Sequence, residues 1–192
     1  LLLIAGRGVA ANQLSLAIYG ASLSLMLMAS ASYHLIKGSP ERIQFLRKID
    51  HSAIYVLIAG TYTPICFNVL TGFWRWGLLA IIWGIALAGI GLKIAFIKTP
   101  RLLTAGVYVI MGWLGVLGLG EMIRTLPVGA MVWLALGGLF FTVGAVVYVT
   151  KKLDFVPGVF GFHEVWHLFV IAGCLSHFIL IWLYVAPYTR IG

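Results

Sequence analysis

The fold of this chain is decided by stretches such as FWRWGLLAIIWGIALAGIGLKIA at positions 73–95. The stretch is long enough to cross the hydrocarbon core of a bilayer, which takes about 20 helical residues. Its charged residues, Arg75 and Lys93, stand near its two ends, where they reach the headgroup region. The stretch therefore predicts a transmembrane helix.

Similar apolar runs fill the rest of the chain. Its 192 residues are 62% hydrophobic and 9% charged, and this is more apolar surface than a water-soluble domain can hide. Full spans are predicted at 13–36, 49–70, 73–95, 102–122, 128–150 and 162–186. The predicted fold class is all-α, a polytopic membrane bundle of about seven transmembrane helices that forms one domain over residues 1–192.

The first of these helices is expected to be truncated. The chain begins Leu1-Leu2-Leu3-Ile4, with neither an initiator Met nor a basic region before the apolar run. A signal peptide needs that basic region. We therefore expect the numbering to start inside a first span, whose remnant ends near Ala5.

Basic residues alternate between the two sides of the predicted bundle. The connections on one side carry Lys37, Arg42, Arg47, Lys48, Lys93, Lys98, Arg101, Lys151 and Lys152. Those on the other side carry Arg7, Arg75, Arg124 and Arg190. By the positive-inside rule the first side is cytoplasmic, which puts the amino terminus inside and the carboxyl terminus outside. Because the basic residues are scattered singly between apolar runs, they favour anionic lipid headgroups as partners and exclude nucleic acid.

Cysteine and glycine are interpreted as packing residues. Cys66 and Cys174 fall inside predicted spans and are far apart in sequence, which suits neither a metal pair nor a disulfide. Glycines are predicted to let neighbouring helices approach closely. These glycines are Gly84, Gly89, Gly91, Gly112, Gly115, Gly118 and Gly120.

The few ionisable residues inside the predicted spans are functional candidates, because such a group costs several kcal/mol unless it is paired, hydrated or metal-bound. They are His34, Asp50, His51, His163, Glu164, His167 and His177. All except His177 stand within about two turns of the cytoplasmic end of a span. They are therefore expected at one membrane depth.

Two of these histidines have metal-ligand spacing. His163 and His167 are four residues apart, so both imidazoles lie on one helix face and reach a single ion. His34 is available as a third nitrogen, and three histidines with water form the open arrangement of catalytic zinc. Asp50 is then placed to hold or deprotonate that water. The alternative is that these histidines cap helix ends or meet headgroups.

The remaining candidates have simpler explanations. His51 follows Asp50 by about 100° around the helix and is expected beside the site or at the interface rather than as a ligand. His177 stands about 15 Å beyond His167 and is expected to be a hydrogen-bonded core histidine. Ser30 precedes His34 by one turn, and either bonds the carbonyl four residues earlier or supports the site.

Three segments together resemble a known family. They are SASYH at 30–34, DHSAIY at 50–55 and FHEVWH at 162–167. They are similar to the three signatures of the bacterial hemolysin III proteins, within the progestin and adipoQ receptor (PAQR) family, and the resemblance covers essentially the whole chain.

The resemblance implies a seven-helix fold with the amino terminus inside and a Zn²⁺ ion held by His34, His163 and His167. It places Asp50 against the zinc through water and Ser30 nearby, and these two are the candidate catalytic residues. It also implies a multi-pass protein of the bacterial inner membrane that serves membrane-fluidity homeostasis. Animal members are receptors linked to ceramidase-like hydrolysis.

Several functions follow from these residues. The first is a zinc-dependent hydrolase or sensor that acts on amide or ester bonds of membrane lipids. A second is a non-enzymatic receptor or sensor with structural zinc. A third is an intramembrane metalloprotease that uses the H-E-x-x-H segment, with Glu164 as general base. A pore is disfavoured because no charged stripe runs across the bilayer.

Overall fold

A computed structural model describes residues 10–96, 100–156 and 159–188, and most of these residues are helical. The helices are α1 (Ala10–Leu35), α2 (Pro40–Asn68), α3 (Gly72–Ala95), α4 (Arg101–Trp113), α5 (Leu119–Thr125), α6 (Val128–Thr150) and α7 (Phe162–Leu180). A 3₁₀ segment, Leu114–Gly118, joins α4 to α5, and a π-helical turn, Ile181–Val185, follows α7. Each predicted full span falls on one of these helical segments, so the all-α class is confirmed. The predicted remnant helix up to Ala5 and residues Arg7, Lys98 and Arg190 lie outside the described residues.

Five helical segments are long and apolar enough to cross a membrane. They are Asn12–Leu35, Gly72–Ala95, Arg101–Thr125, Val128–Thr150 and Phe162–Val185. The protein is therefore a multi-pass α-helical membrane protein. The number of spans and the side of the amino terminus stay predictions.

The predicted span at 49–70 differs from the other spans, because α2 has a more polar composition. Thr61 and Thr63 are buried, and their hydroxyls donate to the carbonyls of Leu57 and Ala59, at 2.8 Å each. The indole Nε1 of Trp83 on α3 donates to the Thr63 hydroxyl at 3.2 Å. Because neighbouring helices cover α2 and these two hydroxyls are satisfied by protein, α2 needs less lipid-facing apolar surface.

The contacts divide the chain into two compact units, and the single-domain organisation stays a prediction. In the first unit, α1 packs against α2 and α2 packs against α3. In the second unit, which spans Pro100–Tyr184, α6 packs against α7 and α4 packs against α6.

The start of α2 is fixed by its cap. The Ser39 hydroxyl accepts a hydrogen bond from the backbone N–H of Arg42 at 3.4 Å, and Pro40 occupies the first turn. Proline suits that position because its fixed φ matches a helix and no N–H donor is needed there. A hydrogen bond with Ser39 also lowers the pKa of the exposed Glu41 carboxyl. The cap thus ends the short connection 36–39 and turns α2 back beside α1.

The predicted span at 102–122 is interrupted by the 3₁₀ segment. Glycines recur here at Gly112, Gly115 and Gly118, and glycine weakens an α-helix by about 1 kcal/mol relative to alanine. A change to the tighter 3₁₀ winding is therefore easy at this place.

Seven glycines were predicted to let neighbouring helices approach closely, and the prediction is wrong for four of them. A Cβ atom on Gly89 would collide with the Tyr55 ring, so close approach is confirmed there. At Gly84, Gly91, Gly112 and Gly120 no atom lies within 4 Å of an added Cβ, so these glycines are not packing residues within the part of the chain described. Cys66 and Cys174 are buried free thiols, as predicted.

Candidate metal centre

The two histidines of α7 face one another. The Nε2 atoms of His163 and His167 lie 3.2 Å apart, and the two ring planes are perpendicular, with centroids 4.6 Å apart. Both side chains are half-buried in the first turns of the helix. The predicted i, i+4 pair is thus formed within the second unit.

This separation fits two ligands of one zinc ion. Two imidazole nitrogens bound tetrahedrally to zinc, at about 2.0–2.1 Å each, lie about 3.3 Å apart. A hydrogen bond between one protonated and one unprotonated nitrogen also suits 3.2 Å, because each neutral imidazole has one donor and one acceptor. By donor chemistry, the set of His34, His163 and His167 is compatible with zinc, since each offers an imidazole nitrogen.

Trp166 holds the two imidazoles from the side. Its ring centroid lies 5.2 Å from that of His163, 4.6 Å from that of His167 and 4.7 Å from that of Tyr148 on α6. A Cβ atom on Gly144 would meet Phe169 and Trp166, so this glycine lets α6 come close to α7 beside the pair. The packing restricts the rotation of both imidazoles.

The side chain of Arg101 packs against the aromatic rings beside the histidine pair. The Arg101 guanidinium at the start of α4 is 5.5 Å from the Tyr148 ring centroid and 5.9 Å from that of Phe162. A guanidinium over aromatic faces is stabilised by about 0.5–1 kcal/mol at an exposed site. The contact joins α4, α6 and α7 at the end of the second unit that carries the histidines.

Glu164 has a structural partner. Its Oε2 accepts a hydrogen bond from the backbone N–H of Gly161 at 2.8 Å, which caps the start of α7. The Asp154 carboxylate approaches Gly161 from the preceding connection, so that a Cβ atom on Gly161 would meet it. Although Glu164 stands inside the H-E-x-x-H segment, its carboxylate is directed to the helix cap.

His34 and Asp50 belong to the first unit, on adjacent helices. His34 is exposed in the last turn of α1, and Asp50 is buried in α2 with 6% of its surface accessible. The two side chains are close enough to interact electrostatically, and Arg47 also acts on Asp50. A buried carboxylate in a helix that enters a membrane is costly. The electrostatic interaction with His34 offsets part of that cost.

The other candidates lie elsewhere. His177 is confirmed as a hydrogen-bonded histidine: its Nε2 lies 3.4 Å from the Leu134 carbonyl, and its ring packs against Phe141 and Gly137. His51 lines a small cavity in the first unit. Ser30 is half-buried one turn before His34, and its role stays a prediction.

Three residues next to the histidine pair were not identified from the sequence. Trp166 had a usable signal, because it stands three residues after His163 and therefore shares part of its helix face. Tyr148 and Arg101 had no such signal, since they lie on other helices and reach the pair only through packing.

Comparison with known proteins identifies the family of the chain. The model of the family described as haemolysin-III related matches residues 1–178. The chain belongs to the haemolysin-III related family. Hemolysin III proteins are part of the PAQR superfamily, so the resemblance seen in the sequence is confirmed.

Similar curated proteins cover most of the chain. "Hemolysin-3 homolog" of Bacillus subtilis is 38% identical over 94% of this chain and 81% of its own length. "Hemolysin-3" of Bacillus cereus is 37% identical over 94% of this chain and 80% of its own length. "Monocyte to macrophage differentiation factor" of Homo sapiens is 27% identical over 87% of this chain and 68% of its own length. The hemolysin III signatures are thus carried on a chain that matches bacterial relatives almost throughout.

Proposed function

We propose that the protein binds one zinc ion through His34, His163 and His167 and uses it to hydrolyse amide or ester bonds of membrane lipids. The observation that carries the proposal is the 3.2 Å separation of Nε2 atoms in the α7 pair. This separation agrees with that of two ligands on a tetrahedral zinc. His34 is the third ligand by its position in the family signature at 30–34. The activity would serve membrane-fluidity homeostasis, as the resemblance implies.

Three histidine ligands leave a coordination position open for chemistry. A zinc ion in such a site polarises a carbonyl and lowers the pKa of a water molecule to about 7. Asp50 supplies the base: its carboxylate oxygen accepts the proton of the attacking water and returns it to the leaving group. Two observations support this role: Asp50 is buried away from bulk water, and it interacts electrostatically with His34. Ser30, one turn from His34, orients that ligand.

The substrate class follows from location. A site in the first turns of a membrane helix is reached from the lipid headgroup region, where the amide and ester bonds of lipids lie. Membrane lipids are therefore the proposed partners.

The metalloprotease alternative is weakened by the observed role of Glu164. A general base must reach the attacking water. The carboxylate of Glu164 instead accepts the N–H of Gly161. The second candidate is a receptor or sensor in which the three histidines hold zinc for structure, since the same ligand set serves both functions.

Metal content tests the ligand set directly. The purified protein in detergent is expected to carry about one zinc per chain by mass spectrometry of the elements. The His163→Ala/His167→Ala variant is expected to lose it, because removing two of three ligands leaves no stable site. His177→Ala is the matched control: it removes a histidine of the same helix that bonds Leu134 instead, so its zinc content should not change.

Helical content by circular dichroism and a single elution peak establish that each variant is folded. A folded wild type that takes up no zinc would refute the proposal. Zinc without any lipid turnover would refute hydrolysis and support the sensor.

A further inference from the structure

A cluster of basic side chains surrounds a small cavity in the first unit. The cavity encloses about 10 Å³ and is lined by Gln44, Arg47, Lys48, His51 and Lys93. Within the described part of the chain, every charged side chain that lines it is basic. Like charges that converge on one space raise the local positive potential, and an anion lowers it again.

The basic groups are arranged by depth. Lys93, in the last turns of α3, is buried with 7% of its surface accessible, whereas Arg47 on α2 is exposed. Lys48 and His51 are half-buried. The lining therefore combines a buried lysine with an exposed arginine, so that positive charge is present both at the surface and below it.

Two of the interactions at the cluster bear on its charge. The Lys48 ammonium donates to the carbonyl of Ile94 at 2.8 Å, which fixes it at the end of α3. Asp50 interacts electrostatically with Arg47, so one negative charge opposes the cluster. Since Arg47, Lys48 and Lys93 are three cations, a single carboxylate does not neutralise them.

The size of the cavity restricts what enters. A space of about 10–15 Å³ holds one water molecule or one oxygen atom. A phosphate group matches this space, because one of its oxygens fits inside and the planar fork of an arginine such as Arg47 suits pairing with two others.

We propose that this cluster is a binding site for a phosphate group, and that the group belongs to an anionic lipid headgroup. The observation that favours a lipid is position: Lys93 lies in the last turn of α3, a helix long and apolar enough to cross a membrane, and headgroups lie at the ends of such helices. None of the residues that line the cavity is a proposed zinc ligand or a proposed catalytic residue.

Titration of a soluble short-chain lipid tests the site. Dioctanoyl phosphatidylglycerol is added to the full chain in a neutral detergent, and heat is followed by calorimetry. Dioctanoylglycerol, which has the same acyl chains and no phosphate, should bind at least about tenfold more weakly, since it cannot form the charge-assisted hydrogen bonds of the phosphate.

The variant Arg47→Gln should weaken binding by about tenfold or more, and Arg47→Lys by less. Lys37→Gln is the matched control: it removes one exposed positive charge from the connection before α2, outside the cavity, and should change affinity less than about twofold. Equal affinity in Arg47→Gln and Lys37→Gln would overturn the proposal, as would equal binding of the lipid without phosphate. Lys93→Gln, if folded, should weaken binding at least as much as Arg47→Gln.

A competition arm distinguishes the source of the phosphate. Displacement of the lipid by millimolar inorganic phosphate, sensitive to Arg47→Gln, supports a site that recognises the phosphate group from either source. Arg47-dependent lipid binding that inorganic phosphate does not displace supports the lipid headgroup alone.

Discussion

At the scale of single residues, two carboxylates lie near proposed zinc ligands: Asp50 is close to His34 in space, and Glu164 follows His163 in sequence. Their surroundings indicate different roles for the two. Asp50 is buried near His34, whereas Glu164 is exposed and caps α7 through the N–H of Gly161. The sequence motif alone favours Glu164 as the base, because H-E-x-x-H is a metalloprotease segment. The cap explains why a glutamate stands at position 164 without a catalytic role, since a capping box uses a glutamate at that position.

The two carboxylates therefore predict opposite mutational effects. Asp50→Asn should lower the rate of lipid hydrolysis by about 100-fold or more, because a general base contributes about 10²–10⁴ to the rate. Glu164→Gln should retain activity within a few-fold, since the amide oxygen still accepts from Gly161. Release of fatty acid from a fluorescent acyl lipid by the zinc-loaded chain measures both. Loss of activity only in Glu164→Gln would point to the protease mechanism instead.

The sequence predicts those parts of the candidate site that lie within one motif. The i, i+4 spacing of His163 and His167 is a local property of a helix, so it predicts their contact. Trp166, Tyr148 and Arg101 support the pair through packing between helices, and a single sequence carries little information on which helices pack. The basic cavity was missed for the same reason: the arginines and lysines were assigned to headgroups one by one.

At the scale of elements, helix positions were predictable because an apolar run of about 20 residues has few stable structures in lipid other than a helix. The 3₁₀ segment Leu114–Gly118 was not predicted, since local winding depends on small energy differences between glycine-rich geometries. The polar character of α2 also could not be explained from its sequence alone. The burial of α2 by α1 and α3 depends on tertiary packing, which a hydropathy profile does not show.

Glycines on α3 give a prediction at this scale. Gly89→Ala should destabilise the protein by about 1–3 kcal/mol, because the new methyl group would collide with the Tyr55 ring on α2 and force repacking. Gly91→Ala, two residues further along the same helix, should be neutral or stabilising by about 0.5–1 kcal/mol, since nothing lies within 4 Å of an added Cβ and alanine favours a helix. The midpoint of thermal unfolding in detergent, followed by circular dichroism, compares the two.

Equal effects of the two substitutions would show that helix propensity, and not the α2–α3 contact, decides the outcome. A lower unfolding midpoint in both variants would also contradict the open space around Gly91.

At the scale of the whole molecule, the decisive question is whether α2 crosses the bilayer. It lies outside the five segments that are long and apolar enough by composition, yet the predicted charge alternation requires it to cross. If α2 crosses, the connection 36–39 and the connection at Thr71 lie on opposite sides. If it does not, both lie on the same side, and the positive-inside assignment of the following helices is reversed.

Labelling of single cysteines with a membrane-impermeant maleimide decides between these topologies. In a Cys66→Ala/Cys174→Ala background, Lys37→Cys should be labelled only after the membrane is opened, because its connection is predicted to be cytoplasmic. Thr71→Cys should be labelled in intact cells. Cells opened by detergent provide the control for reactivity, because both positions must then react. Labelling of both positions in intact cells would place the ends of α2 on one side, and α2 would then be a buried polar helix that does not span the membrane.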